Sequence, residues 1–73
     1  MKIKIIRVGT GITYGDLEVI CDEYEIQNNF IIMKNAHIKY FEAGNPESLV
    51  GEEECVEYHL PLSNIISIRV YKD

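Results

Sequence analysis

Residues 54–73 read ECVEYHLPLSNIISIRVYKD. Val56, Tyr58 and Leu60 alternate with Cys55, Glu57 and His59, and after a four-residue connector Ile66, Ile68 and Val70 alternate with Ser67, Arg69 and Tyr71. Period-two alternation in residues of this kind predicts two half-buried strands. Their inner faces are read as Val56, Tyr58, Leu60, Ile66, Ile68 and Val70, with Cys55, Glu57 and His59 outward. The connector Pro61 to Asn64 has the composition of one 3₁₀ turn. A strand, a turn and a closing strand at the end of a 73-residue chain set the expectation for everything before them.

Working back toward the N-terminus, residues 2–8 predict a first strand in which Lys2 and Lys4 alternate with Ile3 and Ile5. The Ile5-Ile6 pair shifts the phase, which a β-bulge accommodates by bringing Ile6 and Val8 inward and sending Arg7 outward. A strand covered on both faces is the alternative. Residues 9–15, GTGITYG, are a glycine-rich loop. Residues 16–21 fit a strand through Leu17, Val19 and Cys21, and fit a helix through Leu17, Ile20, Cys21 and Tyr24 with Asp16 as N-cap. Strand is preferred, because Glu23 to Gln27 continues in period two. Asn28-Asn29 is a two-residue hairpin turn, after which Phe30 to Lys34 pairs back. Asn35-Ala36 marks a break before a strand over His37 to Phe41, and residues 42–52 form the longest loop, ahead of strands over 53–60 and 65–71.

The expected fold is therefore a single all-β domain over residues 1–73, a small antiparallel β-barrel of five to six short strands with little or no helix. Pairing of the first strand with the last closes it and removes edges that invite aggregation. A 3₁₀ turn before the final strand resembles the architecture of SH3-like barrels, a resemblance of fold that carries no functional motif.

Composition is that of a globular chain, 47% apolar and 26% charged, and a domain of this size buries only about 60% of its unfolded surface. The isoleucine content exceeds what one small inner face needs: Ile6, Ile12, Ile20, Ile31 or Ile32, and Ile65 are left over. Excess apolar surface points to homo-oligomerisation. Charges interrupt every apolar run of the N-terminal segment, which excludes a signal peptide or membrane span there. Two cysteines with 33 residues between them do not make a disulfide scaffold, so a cytoplasmic protein with reduced thiols is expected.

Net charge is −5, which disfavours nucleic acid as a partner, since phosphate neutralisation supplies most of that affinity. Five acids and no base lie between Asp16 and Glu25, and six acids and no base between Glu42 and Glu57, while five of seven cations sit in the first seven and last five residues. Glu52, Glu53, Glu54 and Glu57 form a candidate surface for a basic protein partner. At the other pole, outward Arg7 and Arg69 beside Tyr71 offer guanidinium groups to a phosphate or carboxylate. Thr10, Thr13 and Tyr14 of the glycine loop add hydroxyls and an aromatic ring. These six residues are the candidate ligand site.

Motifs for catalysis are missing. The glycine loop lacks the Lys-Ser/Thr ending of a P-loop, Cys55-x-Glu57-x-His59 lacks the paired spacing of a structural zinc site, and no nucleophile stands beside an orienting base. No metal, no cofactor and no enzymatic activity are expected. Three functions remain. The first is a protein-binding inhibitor module, of the kind that small acidic proteins of phages and mobile elements use against host defence or regulatory factors. The second is an oligomeric protein sequestering a small anionic ligand such as a nucleotide. The third is a structural or assembly component.

Overall fold

A computed structural model describes residues 1–7, 15–42 and 44–72. Six antiparallel strands carry nearly all of them: β1 (Lys2–Arg7), β2 (Leu17–Ile20), β3 (Glu23–Gln27), β4 (Phe30–Glu42), β5 (Asn45–Pro61) and β6 (Ile65–Tyr71), with one 3₁₀ turn at Leu62–Asn64. They form one curled sheet, a half-barrel consistent with the expected small all-β barrel. No helix among the described residues is long and apolar enough to cross a membrane.

The long hairpin β4–β5 is the spine. β5 runs along one edge of β4 for its whole length, while β3 and then β2 share the other edge. β2 pairs β1, and β1 pairs β6 antiparallel, as expected for the first and last strands. The sheet is thus a strip with β5 at one end and β6 at the other. Among the described residues no pairing joins those two ends.

Local chemistry explains the connections. Asn28 and Asn29 both have positive φ, 52° and 65°, the geometry of the two-residue turn that suits right-twisted strands. Leu17, Val19 and Cys21 are buried while Glu18 is not, so residues 17–20 take the strand alternative. The 3₁₀ turn falls where its composition placed it, and Leu62 N–H donates to the Asn29 carbonyl at 2.9 Å, tying this turn to the β3–β4 hairpin.

Two irregularities correct the simple alternation. The expected break at Asn35-Ala36 is instead a residue of positive φ, Asn35 at 51°, within a continuous β4. Its side-chain amide donates to Asp22 Oδ2 at 2.8 Å, at the joint where β4 changes neighbour from β3 to β2. On β4 the buried set steps from Ile31 and Met33 to Ala36 and Ile38. Register is kept across this point, Lys34 facing Glu57 and Ala36 facing Cys55, so β5 reverses phase as well. Tyr58 and Leu60 stay inward, Cys55 packs against the core, and Val56 is 78% exposed. The inward reading of Val56 and the outward reading of Cys55 are both overturned.

The second irregularity lies in β6 and not at Ile5-Ile6. Ile6 faces Ser67 and Arg7 faces Ile65, which leaves Ile66 as the extra residue of a bulge. Consequently Ile66 is 66% exposed and Ile65 packs against the core with Ile68, the reverse of the expectation for residues 65 and 66. β1 keeps plain alternation, with Ile3 and Ile5 fully buried and Ile6 exposed, so the inward reading of Ile6 fails; Val8 and Ile12 lie outside the described residues. Val70, expected inside, is 41% exposed at the open end of the strip. Ile31 and Ile32 are both buried. The expected loop over 42–52 is β5 from Asn45 onward, entered through Gly44 at φ 75°.

The core lies in the curl: Ile3, Ile5, Leu17, Val19, Ile31, Met33, Ala36, Ile38 and Leu60. Cys21 belongs to it. One further step of the β2/β4 register puts Cys21 opposite Ala36, which faces Cys55 on its other side. Neighbouring strands are about 4.8 Å apart, so the two Cα atoms lie about 10 Å from each other across the sheet, beyond disulfide reach. Both are free.

Candidate binding surfaces

Outward residues line up in rows across the strip because all these pairings are antiparallel and in register. One row runs Glu52, Lys39, Glu18, Lys4, Arg69, and the next runs Glu54, His37, Ile20, Lys2, Tyr71. Charge alternates along the first row until its last step, where Lys4 and Arg69 are directly opposed. Lys2 is paired with Glu18 at 3.6 Å, and the Lys4 ammonium lies 5.8 Å from the centre of the Tyr71 ring. A cationic cluster of Lys2, Lys4 and Arg69 with Tyr71 therefore occupies the β1/β6 end.

Arg7 is not part of that cluster. By parity it follows Ile3 and Ile5 on the inner face, and its Nε donates to the Gly15 carbonyl at 2.8 Å. The expected shared face of Arg7 and Arg69 is thus not formed, because the bulge sits in β6. Thr10, Thr13 and Tyr14 lie outside the described residues. Beside Arg69, a cleft of about 130 Å³ opens between Lys4, Ile6, Glu18, Phe41 and Ser67. The Ser67 hydroxyl is buried there without a hydrogen-bond partner.

The acidic candidates all lie on β5 and are all exposed. Glu52 and Glu54 point outward and grip one imidazole: His37 Nε2 is 2.7 Å from Glu52 Oε2, and Nδ1 is 3.0 Å from Glu54 Oε1. Carboxylates only accept, so both contacts are hydrogen bonds together only when both ring nitrogens carry a proton, as in the imidazolium. The bonds to Glu54 and then Glu52 raise its pKa above the ordinary histidine value, against a smaller opposing effect of burial. Glu57 accepts from the Lys34 ammonium at 2.7 Å and pairs with His59. Lys34, and then His59, hold its carboxyl below the usual glutamate range. Glu53 lies on the inner parity and accepts from the Tyr40 hydroxyl. Burial first, then the Glu53 bond, raises the Tyr40 pKa well above that of an ordinary tyrosine.

Four carboxylates, two imidazoles and one ammonium thus crowd a strand whose far edge carries no pairing among the described residues. Among the described residues no group of three or more His, Cys, Asp or Glu side chains is disposed to hold a metal ion. Sequence reasoning found the glutamates and the outward Lys4, but not Lys39 and Glu18 as row partners nor the grip of Glu52 and Glu54 on His37. Only the register reveals them, since the row partners lie far apart in the chain. Comparison with protein families, with characterised proteins and with solved structures returns no match.

Proposed function

We propose that this protein is a non-enzymatic binding module that docks a basic protein surface along the acidic strand β5. The observation that carries it is the run Glu52, Glu53, Glu54 and Glu57, exposed on a strand whose outer edge is unpaired among the described residues. An unpaired strand offers main-chain hydrogen bonds to an added strand, and the carboxylates select a partner rich in Lys and Arg while rejecting acidic competitors. The His37, Lys34 and Tyr40 contacts hold these side chains in fixed positions before the partner arrives. Inhibition of a host defence or regulatory protein, inside the cell, is the form of this activity that the small acidic composition favours.

The test compares affinity capture by the native protein with capture by the Glu52→Gln/Glu53→Gln/Glu54→Gln variant. A partner retained by the first, lost by the second and released by added salt supports the reading. A partner held equally by both contradicts it.

A second reading rests on the opposition of Lys4 and Arg69. Like charges directly across a ladder are unfavourable, and a small anion between them would relieve the repulsion while Tyr71 stacks on an aromatic portion. Sequestration of a nucleotide-like anion at this end predicts a 260 nm-absorbing ligand released on denaturing the purified protein. Self-association accompanies either reading, since Ile6, Ile20, Val56 and Ile66 are exposed.

A further inference from the structure

We infer that β6 pairs antiparallel with β6 of a second copy about a two-fold axis at Ile68, joining two half-barrels into one continuous sheet. Three strand edges are unpaired among the described residues: those of β3, β5 and β6. Two of them resist self-pairing. A two-fold on β3 sets Glu25 against itself, and any such axis near the middle of β5 sets Glu52, Glu53, Glu54 and Glu57 of one copy among those of the other. Such like-charge guards are the usual protection of an edge. β6, IISIRVY, carries one charge, no proline and three apolar residues that are 41–66% exposed. It has no guard.

The edge is also self-complementary. An axis at Ile68 places exposed Ile66 opposite exposed Val70 of the second copy, so apolar residues meet each other. Arg69, the only charge, meets Ser67 and not its own image. Isologous pairing of this kind closes after two copies, so it yields dimers and not fibres. Seven residues of strand are a small interface beside the roughly 1,600 Å² of a standard one, so the dimer is concentration-dependent.

This inference rests on the self-association proposed above, and the experiment separates the two. Light scattering after size exclusion is run from about 5 to 500 μM (a range bracketing weak strand pairing) on the native chain and three variants. Expected is a native dimer at the upper end, at least a tenfold weakening by Ile66→Lys and by Val70→Lys, and recovery in the Ile66→Lys/Val70→Glu double variant, whose new charges oppose across the axis. Ile66 and Val70 are exposed, and circular dichroism checks that each variant folds. A native chain that stays monomeric throughout overturns both self-association and this interface. A dimer indifferent to the single variants, or not recovered in the double variant, overturns the β6 interface alone.

Discussion

Lys4 of β1 and Arg69 of β6 face each other directly across the ladder that joins the two ends of the chain. Every other step of their row pairs opposite charges: Glu52 with Lys39, Lys39 with Glu18, Glu18 with Lys4. Arg69→Glu completes the alternation. Cross-strand charge pairs are worth about 0.2–1 kcal/mol, so in a domain of this size the substitution raises Tm by about 1–8 °C. The gain shrinks in high salt, because the pair is at the surface. Thermal melts of dilute protein at two salt concentrations measure both effects.

His37 makes stability depend on pH. Its folded-state pKa is raised above the ordinary value of 6.5 by the bonds to Glu54 and Glu52. The stabilisation is fully present below pH 6.5, down to the carboxylate range, and is lost as pH rises through the folded-state value. Chemical denaturation from pH 6 to 9 therefore records falling stability for the native chain and a flatter profile for His37→Gln. A ring-proton titration of His37 places its midpoint above that of an unperturbed histidine.

Alanine substitution separates residues that the alternation puts together. Leu60 is 5% exposed and Val56 78%. Leu60→Ala costs about 2–5 kcal/mol by cavity formation, a large share of the stability of so small a domain, whereas Val56→Ala is within about 0.5 kcal/mol of neutral. Urea midpoints of the two variants make the comparison.

The thiols differ in reactivity. Cys21 is buried, and desolvation raises its pKa, which suppresses the nucleophilic thiolate. Cys55 is only half-buried. A thiol reagent consumes Cys55 first and Cys21 at a rate limited by opening of the fold, and oxidation produces no intramolecular disulfide. Peptide mapping of the labelled chain assigns each rate.

Much of the fold could be read in the sequence, and the parts that could not have specific causes. β1, β2 and the Asn28-Asn29 hairpin follow from period-two spacing and from asparagine's tolerance of positive φ. The failures cluster where one residue reverses a strand's phase. Asn35 was legible as a break, but its αL conformation keeps β4 continuous and turns the inner face over on two strands together. Nothing in residues 54–60 signals that change, because its origin lies across the ladder. The bulge at Ile66 is equally hidden, since Ile65, Ile66 and Ile68 offer two apolar phases and only packing against the core selects Ile65. The Arg7–Arg69 site fails for the same reason. Glu52, Glu53, Glu54 and Glu57 were visible as a charge run, while their grip on His37 depends on register.

Both proposed interfaces require a strip that is open at β5 and β6. Residue-resolved amide exchange on protein diluted to the monomer measures this directly. An open strip protects nearly all amides of β1 and β4, which are bonded on both sides, and only alternate amides of β5 and β6. Protection of consecutive amides throughout β5 and β6 in the monomer would mean that the two strands close on each other, and would contradict it.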